Sequence, residues 1–560
     1  MASELCSNIV KALTFWRIDK VVAARNIHAV IYDARSKCEK LQLGSKNMAK
    51  QPNIVIFMVD QLTAFALKTY GGTVCKTPNI DAFADSGVVF ENAYCAYPLC
   101  APSRFAMMTG RLPSRIDAFD NGAEFPASIP TFAHYLRLLG YYTCISGKMH
   151  FVGPDQYHGF EERLTTEIYP ADFSWTPAAG YKDITLDDDR PYTAGVSTIE
   201  TVLDAGPIAR SMQIDYDEEV IHQAIRELFS MARTESAPPF MMTVSLTHPH
   251  DPYVITQEHW DRYDDNDIEQ PRVPFIPVEQ RDQHSQSLYY HYGQDKTEIS
   301  DVAYRRARRG YYGMISYVDD LFGRVLATLR DTGFAENTVV LLTSDHGDMI
   351  GERGMWFKKT LFEPAVRIPL VIAHPGRASN HIKTPVSLVD ILPTLLDIAG
   401  APDGTLQTAC DGRSLAPALN GDSIEQRPVY VEHIDGGTVA PRVMVRDGDM
   451  KLVHSRAYPP QLYDLVSDPD EQNNLASDEN LKLIIKRLTG HAEEVWDLDT
   501  LSGVVFANQT ARKLIDTALD IGRREPWDFT PHSARETQRY VRHGDAFPNV
   551  ERRGYLTYRK

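Results

Sequence analysis

The chain has 560 residues, enough to bury a large core in more than one domain. Its 75 acidic and 58 basic residues give a formal net charge of −17, which argues against nucleic acid as a general partner. A hydrophobic content of 43% and a charged content of 24% are those of a soluble globular protein, and no apolar run approaches the ~18 residues of a membrane span, so no membrane partner is expected.

Residues 1–47 are mildly basic and contain no secretory apolar core. They read as an N-terminal extension: a transit peptide, a disordered segment, or an upstream start that is not the native one, since "MAKQPNIVIFMVDQ" from Met48 has the texture of a natural beginning. "NIVIFMV" is continuous in apolar residues, the pattern of a strand buried on both faces, and it ends at Asp60-Gln61. In "YPLCAPSRFAMMTGRLPS" (97–114), Pro102 suits the first position of a short helix that runs to Thr109 and is stopped by Gly110 and Pro113. Cys100 therefore lies at a helix N-terminus beside Arg104, where a thiol pKa falls and anions gather.

A helical pattern covers 129–140. "YYTCISGKMH" then reads as a strand ending at Lys148 and His150. After a helix over 217–233, "PFMMTVSLTHPHDPY" ends at His248, His250 and Asp251. After a helix over 314–333, "NTVVLLTSDHGD" ends at Asp345-His346. The acidic runs at 187–189 and 264–267 lack the glycine and glutamate of an EF-hand loop and read as solvated loops. A further helical pattern spans 386–400. Beyond about residue 420 the texture changes to antiparallel strands with turns, then helices over 478–494 and 508–523 and an aromatic tail over 526–548. Seven cysteines without zinc or disulfide spacing suit a reducing compartment, and hence the cytoplasm.

Strands alternating with helices imply an α/β fold with a large, mostly parallel central sheet flanked by helices. A smaller C-terminal α+β unit carries an antiparallel sheet. The domain expectation is an extension over 1–47, a catalytic domain over 48–420, a C-terminal subdomain over 421–500 and a tail over 501–560. Ligand sites in such sheets sit at the carboxyl ends of strands, so four polar strand ends should converge on one rim and Cys100 should join them. Asp60, Asp345 and His346, with Gln61 as a neutral oxygen donor, can hold a divalent cation: Ca²⁺, Mg²⁺ or Mn²⁺, with one imidazole not excluding Zn²⁺. One such Asp alone would more simply cap a helix; three candidates from separate strands favour the metal. Arg104, Lys148 and Lys358 add cations, and His150 and His250 add proton donors. Together they suit a tetrahedral oxyanion ester.

These residues carry a resemblance. "CAPSR" followed by "GRLPS" fits the signature of the type I sulfatases, in which the Cys becomes formylglycine. "MVDQ", "SGKMH", "THPHDPY" and "DHGDMIGERGMWFKK" follow the same family in order. The choline-sulfatase subgroup is most similar, through "SGKMHFVGPDQYHGFEERLTTEIYPADFSWTP", "FDNGAEF", "DAGP", "HSRAYPPQLYDL" and the tail "PWDF…QRYVR".

The resemblance implies an alkaline-phosphatase/sulfatase-like fold and an aldehyde at position 100, made by a formylglycine-generating maturation enzyme. One hydroxyl of the hydrated aldehyde would attack sulfur and release the alcohol. The second would lose its proton and expel sulfate. Asp60, Cys100, Asp345 and His346, with Gln61 a further ligand, would hold a single divalent ion, calcium first. Arg104 would hold the modified residue, and Lys148 and His150 would orient the diol and take up its proton. His250 and Lys358 would bind sulfate and protonate the leaving oxygen, with His248 a rival to His250, and Asn121 would be a further sulfate contact. For choline, Trp175 would offer an aromatic face and Asp545 or Asp435 a carboxylate.

The implied activity is hydrolysis of a small alkyl sulfate ester, choline-O-sulfate first, by a homo-oligomer (dimer or tetramer). The alternatives are a paralogue for another small sulfate ester, a phosphonate or phosphodiester hydrolase of the same superfamily, and an unmodified binding protein without catalysis. Where the subgroup reads His-Asn near the choline site, this chain has Ser197-Thr198.

Overall fold

The computed structural model describes residues 51–177 and 197–531; the acidic run 187–189, the tail beyond 531 and Asp545 lie outside them. Eight strands form the main sheet: β1 (Asn53–Val59), β2 (Val88–Phe90), β3 (Tyr142–Gly147), β4 (Glu162–Arg163), β5 (Phe240–Ser245), β6 (Thr338–Ser344), β7 (Leu370–Ala373) and β8 (Asn380–Ile382). Their spatial order is β8-β2-β7-β6-β1-β5-β3-β4. The five strands from β6 to β4 are parallel, whereas β7 runs antiparallel to both β6 and β2.

The helices used below are α1 (Pro78–Ser86), α2 (Cys100–Thr109), α3 (Phe132–Leu138), α4 (Met212–Ala232), α5 (Asp301–Asp331), α6 (Ile391–Ile398), α7 (Lys482–Val495) and α8 (Leu498–Leu519). β1 shows why its sequence is apolar throughout. Val55, Phe57 and Val59 pack with residues of α1, α4 and α5, while Ile54, Ile56 and Met58 pack with α2, α3 and α6 on the other face. Both faces are covered, so no alternation is needed.

Several helices begin earlier than the sequence reading has them: α8 at Leu498 rather than 508 and α4 at Met212 rather than 217. α2 opens at Cys100 itself, so Pro102 is its third residue; the first turn has orphan N–H groups, and a missing one there is tolerated. α5 begins at Asp301, capped by Ser300, well before the apolar periodicity becomes evident at 314. Its first turns carry four arginines, at 305, 306, 308 and 309, and Arg308 is buried between Glu269 and Glu352.

Beyond the main sheet, β9 (Val429–His433), β10 (Arg442–Asp447), β11 (Met450–Ser455) and β12 (Gln461–Asp464) form an antiparallel meander. Val443, Val445, Leu452 and Leu462 on one face pack with Leu488 and Ala492 of α7 and Leu501 and Val505 of α8. No helix among the described residues is long and apolar enough to cross a membrane.

Candidate active site

β1, β5 and β6 are neighbours at the centre of the sheet, and their carboxyl ends supply the site. The Asp60 N–H donates to the His248 carbonyl at 3.3 Å and the Asp345 N–H to that of Val59 at 3.3 Å, which ties the three exits together. β3 lies on the far side of β5. It ends at Gly147 (φ +109), where a Cβ would stand 1.9 Å from the Ser245 carbonyl oxygen; only glycine lets the chain turn here and deliver Lys148.

Donor atoms of Asp60, Cys100, Asp345 and His346 all lie within 4.8 Å of one another. Cys100 Sγ is 3.3 Å from His346 Nε2, 3.4 Å from Lys358 Nζ and 3.8 Å from Asp60 Oδ1. Each of these residues is 4% exposed or less, so the charges interact through a weakly screening medium. Two carboxylates, an imidazole and the atom at position 100 form a donor set that fits a divalent cation.

Buried carboxylates need partners, and Arg104 supplies them. Its Nε donates to Asp345 Oδ2 at 2.8 Å and its Nη2 to Asp60 Oδ2 at 3.2 Å, while Nη1 donates to the Ser245 hydroxyl at 2.8 Å and the Lys148 carbonyl at 2.5 Å. Lys148 Nζ also pairs with Asp60 and lies 4.3 Å over the Tyr169 ring. Burial and Cys100 push the Asp60 carboxyl up, but Lys148, His250 and Arg104 together hold it well below the usual range. Burial likewise opposes ionisation of the Cys100 thiol, and Lys148, Lys358 and His346 outweigh it, leaving the group strongly acidic.

Lys358 Nζ bonds Gln61 Oε1 at 2.6 Å and His250 Nε2 at 2.7 Å. Gln61 Nε2 in turn donates to Asp348 at 2.7 Å and Asp251 at 3.1 Å. The Gln61 oxygen thus serves the lysine, and the structure brings it to Lys358. The two histidines of "HPH" separate: His250 reaches Lys358, whereas His248 Nδ1 is pinned to Asp217 of α4 at 2.7 Å.

His150 takes a left-handed conformation (φ +62), held by Glu167, which accepts its N–H at 2.9 Å. Its ring lies 5.1 Å from Tyr169 and 5.4 Å from Trp175, with neither nitrogen bonded to a protein oxygen, and burial holds it below the usual imidazole range. Gln61, Phe357 and Lys359 are also at positive φ, so backbone strain gathers around the site.

Asn121 accepts the Ala101 N–H at 3.0 Å, beside Cys100 on the open end of α2. Half-buried Trp175 lies against Tyr169, ring centres 4.7 Å apart and planes tilted by 44°. Asp435 is paired with Lys359 Nζ at 2.8 Å, one residue along from Lys358 and outside the Cys100 cluster. Ser197 bonds Asp251 Oδ1 at 2.9 Å. Sequence reasoning missed Tyr169, Glu167 and Ser245. Only Ser245 carried a signal, as the polar end of an apolar strand.

The Sulfatase family model matches residues 52–401. The chain belongs to the sulfatase family. Within this sulfatase, a model described as N-sulphoglucosamine sulphohydrolase, C-terminal, matches residues 351–497, and one described as Choline sulfatase enzyme C terminal matches 504–554. The sulfatase is 42% identical to a choline-sulfatase of Rhizobium meliloti over 499 residues, 88% of this chain and 96% of the relative. It is 29% identical to an arylsulfatase of Clostridium perfringens, covering 80% and 96% of the two chains. Among solved structures, the phosphonate monoester hydrolase of Agrobacterium radiobacter superposes with a TM-score of 0.63 at 23% identity, over 80% of this chain and 96% of the other. That likeness establishes the alkaline-phosphatase/sulfatase-like fold.

Proposed function

We propose that this sulfatase hydrolyses choline-O-sulfate to choline and sulfate, with formylglycine made from Cys100 by a maturation enzyme and a divalent cation, calcium first, held by Asp60, residue 100, Asp345 and His346. The observation that carries the reading is the meeting at Cys100 of the acidic donor set, Lys148, Lys358 and the His250 pair in one buried cluster. When bound, the cation polarises a sulfuryl oxygen as a Lewis acid.

The residues of the chain then divide the work. Arg104 fixes both carboxylates. Lys148 and the amino end of α2 stabilise negative charge at position 100. One hydroxyl of the hydrated aldehyde attacks sulfur, and the S–O bond to the alcohol breaks as the Lys358–His250 pair delivers a proton to the departing oxygen. His150, whose ring bonds the Cys100 side chain and no protein oxygen, takes the proton of the second hydroxyl. The aldehyde re-forms as sulfate leaves, and water restores the diol.

The choline assignment is supported by the 42% identical relative and by the aromatic wall of Tyr169 and Trp175, whose faces attract a quaternary ammonium. Exposed Leu514, Ile515 and Ile521 in and beyond α8 support self-association. The free thiols of Cys75, Cys95 and Cys410 support a cytoplasmic setting. The main sheet with its helices forms the catalytic domain of this reading and the meander its C-terminal subdomain.

The test combines peptide mass spectrometry at Cys100 with turnover of choline-O-sulfate beside a neutral alkyl sulfate. We expect the mass of the aldehyde and a clear preference for the choline ester. An intact thiol with no turnover of any sulfate ester would replace this reading with the binding protein.

A further inference from the structure

The second half of α8 sends two buried side chains into the wall of the site. Arg512 is 4% exposed and Asp120 is fully buried. Arg512 Nη1 donates to Asp120 Oδ1 at 2.8 Å and Nη2 to Oδ2 at 2.7 Å, a two-pronged pair joining positions 392 residues apart. Gln509 Nε2 adds a donor to Oδ2 at 3.0 Å, and Asn508 Oδ1 steadies the guanidinium from its own helix at 2.7 Å.

Both ends of the pair reach residues next to the site. Asp120 precedes Asn121, which caps the Ala101 N–H beside Cys100, and its Oδ1 also accepts the Gly122 N–H at 2.9 Å. Arg512 Nη1 donates as well to Thr176 Oγ1 at 3.0 Å, one residue past Trp175. The two loops touch through their backbones: a Cβ on Gly122 would stand 2.4 Å from the Thr176 nitrogen. One guanidinium therefore clamps the loop carrying Asn121 to the loop carrying Trp175.

We propose that Arg512 and Asp120 form a positioning pair that fixes the spacing between the sulfate contact and the aromatic wall, and so sets which alcohol fits. Neither residue touches the reacting atoms; the pair acts through Asn121 and Trp175. This rests on the ester-hydrolase reading above, and it gives part of the C-terminal segment a role inside its own chain.

The experiment is a pair of double-mutant cycles on the full chain, with stability of each variant followed by thermal unfolding. Arg512→Lys keeps the charge but loses the fork; Asp120→Asn keeps the shape and serves equally where Arg512→Lys fails to fold. In the first cycle, Arg512→Lys is combined with Trp175→Ala and read with choline-O-sulfate. We expect KM to rise about tenfold in the wild-type background and less than about twofold in Trp175→Ala, with kcat little changed. In the second cycle, Arg512→Lys is combined with Asn121→Ala and read with a neutral aryl sulfate, which shares only the sulfate end. There too the second substitution should add less than its effect alone. Independent, multiplying effects in both cycles would overturn the proposal. If the unsubstituted chain leaves choline-O-sulfate intact while the Asn121 cycle shows coupling, the substrate reading fails and the positioning pair stands.

Discussion

Lys358 Nζ stands 2.7 Å from His250 Nε2, and the far nitrogen of the same ring, Nδ1, stands 2.8 Å from the Asp251 carbonyl oxygen. With a charged lysine, Nε2 accepts and Nδ1–H donates, so ammonium and imidazole hold one proton between them. We expect Lys358→Ala and His250→Ala each to lower kcat/KM for choline-O-sulfate by about 10²–10⁴-fold. The double variant should be little worse than the poorer single one, because the two act as a unit. An aryl sulfate, with its better leaving group, should lose much less. Steady-state kinetics on both esters checks this, and equal losses would argue against proton delivery to the alcohol.

Cys100→Ala should abolish turnover while the fold survives, since a small side chain at the start of α2 leaves the cap at Gly110 and the packing of Phe105 and Met108 in place. The check is thermal unfolding beside turnover. Retained activity would remove the covalent mechanism.

The donor set predicts dependence on a divalent ion. Dialysis against a chelator should abolish activity, and calcium, magnesium or manganese should restore it. Asp345→Asn should lose the ion as well as part of the grip of Arg104, whose Nε rests on that carboxylate. Elemental analysis of purified protein checks this; equal metal content in wild type and variant would sink the assignment.

Trp175→Ala should raise KM for choline-O-sulfate about tenfold and change it for an aryl sulfate far less, as expected when a cation loses an aromatic face. Equal changes for both esters would leave Trp175 a packing residue.

Glu432 gives a pH prediction for stability. It is buried and accepts from the Ser114 N–H at 2.8 Å, the Ser114 hydroxyl at 2.6 Å and Trp496 Nε1 at 2.7 Å. Burial, only partly offset by these donors, raises its pKa from 4.5 to about 7. The folded chain therefore keeps a proton that the unfolded chain gives up earlier. The contribution to stability is present below pH 4.5 and is lost as pH rises to about 7, by at most ~3 kcal/mol. Glu432→Gln should flatten this part of the melting-temperature profile between those limits. A profile parallel to that of wild type would show that Glu432 is already ionised throughout.

The strand ends were legible because a run buried on both faces is apolar without interruption, so the first polar residues after it stand out: Asp60, Lys148, His250 and Asp345. The wall of the site was not. Glu167 and Tyr169 lie in a stretch without periodicity, and nothing local announces that a backbone at positive φ needs a carboxylate beneath it. The pairing of Asp120 with Arg512 joins positions 392 residues apart. Neighbouring histidines were equally opaque until Asp217, on a different helix, was seen to claim His248. The start of α5 was hidden because arginines on its first turns mask the apolar stripe.

The eight-stranded sheet places Asp60 and Asp345 at the exits of its two middle strands, while the loops carrying Asn121 and Trp175 are tied down by α8. The strand ends and the aromatic wall therefore sit on separate elements, joined through Asn121 and its neighbour Asp120. On the proposed reading, exchanging Trp175 would redirect the catalyst to a different ester, with Asp60, Asp345 and the other strand-end residues inherited whole.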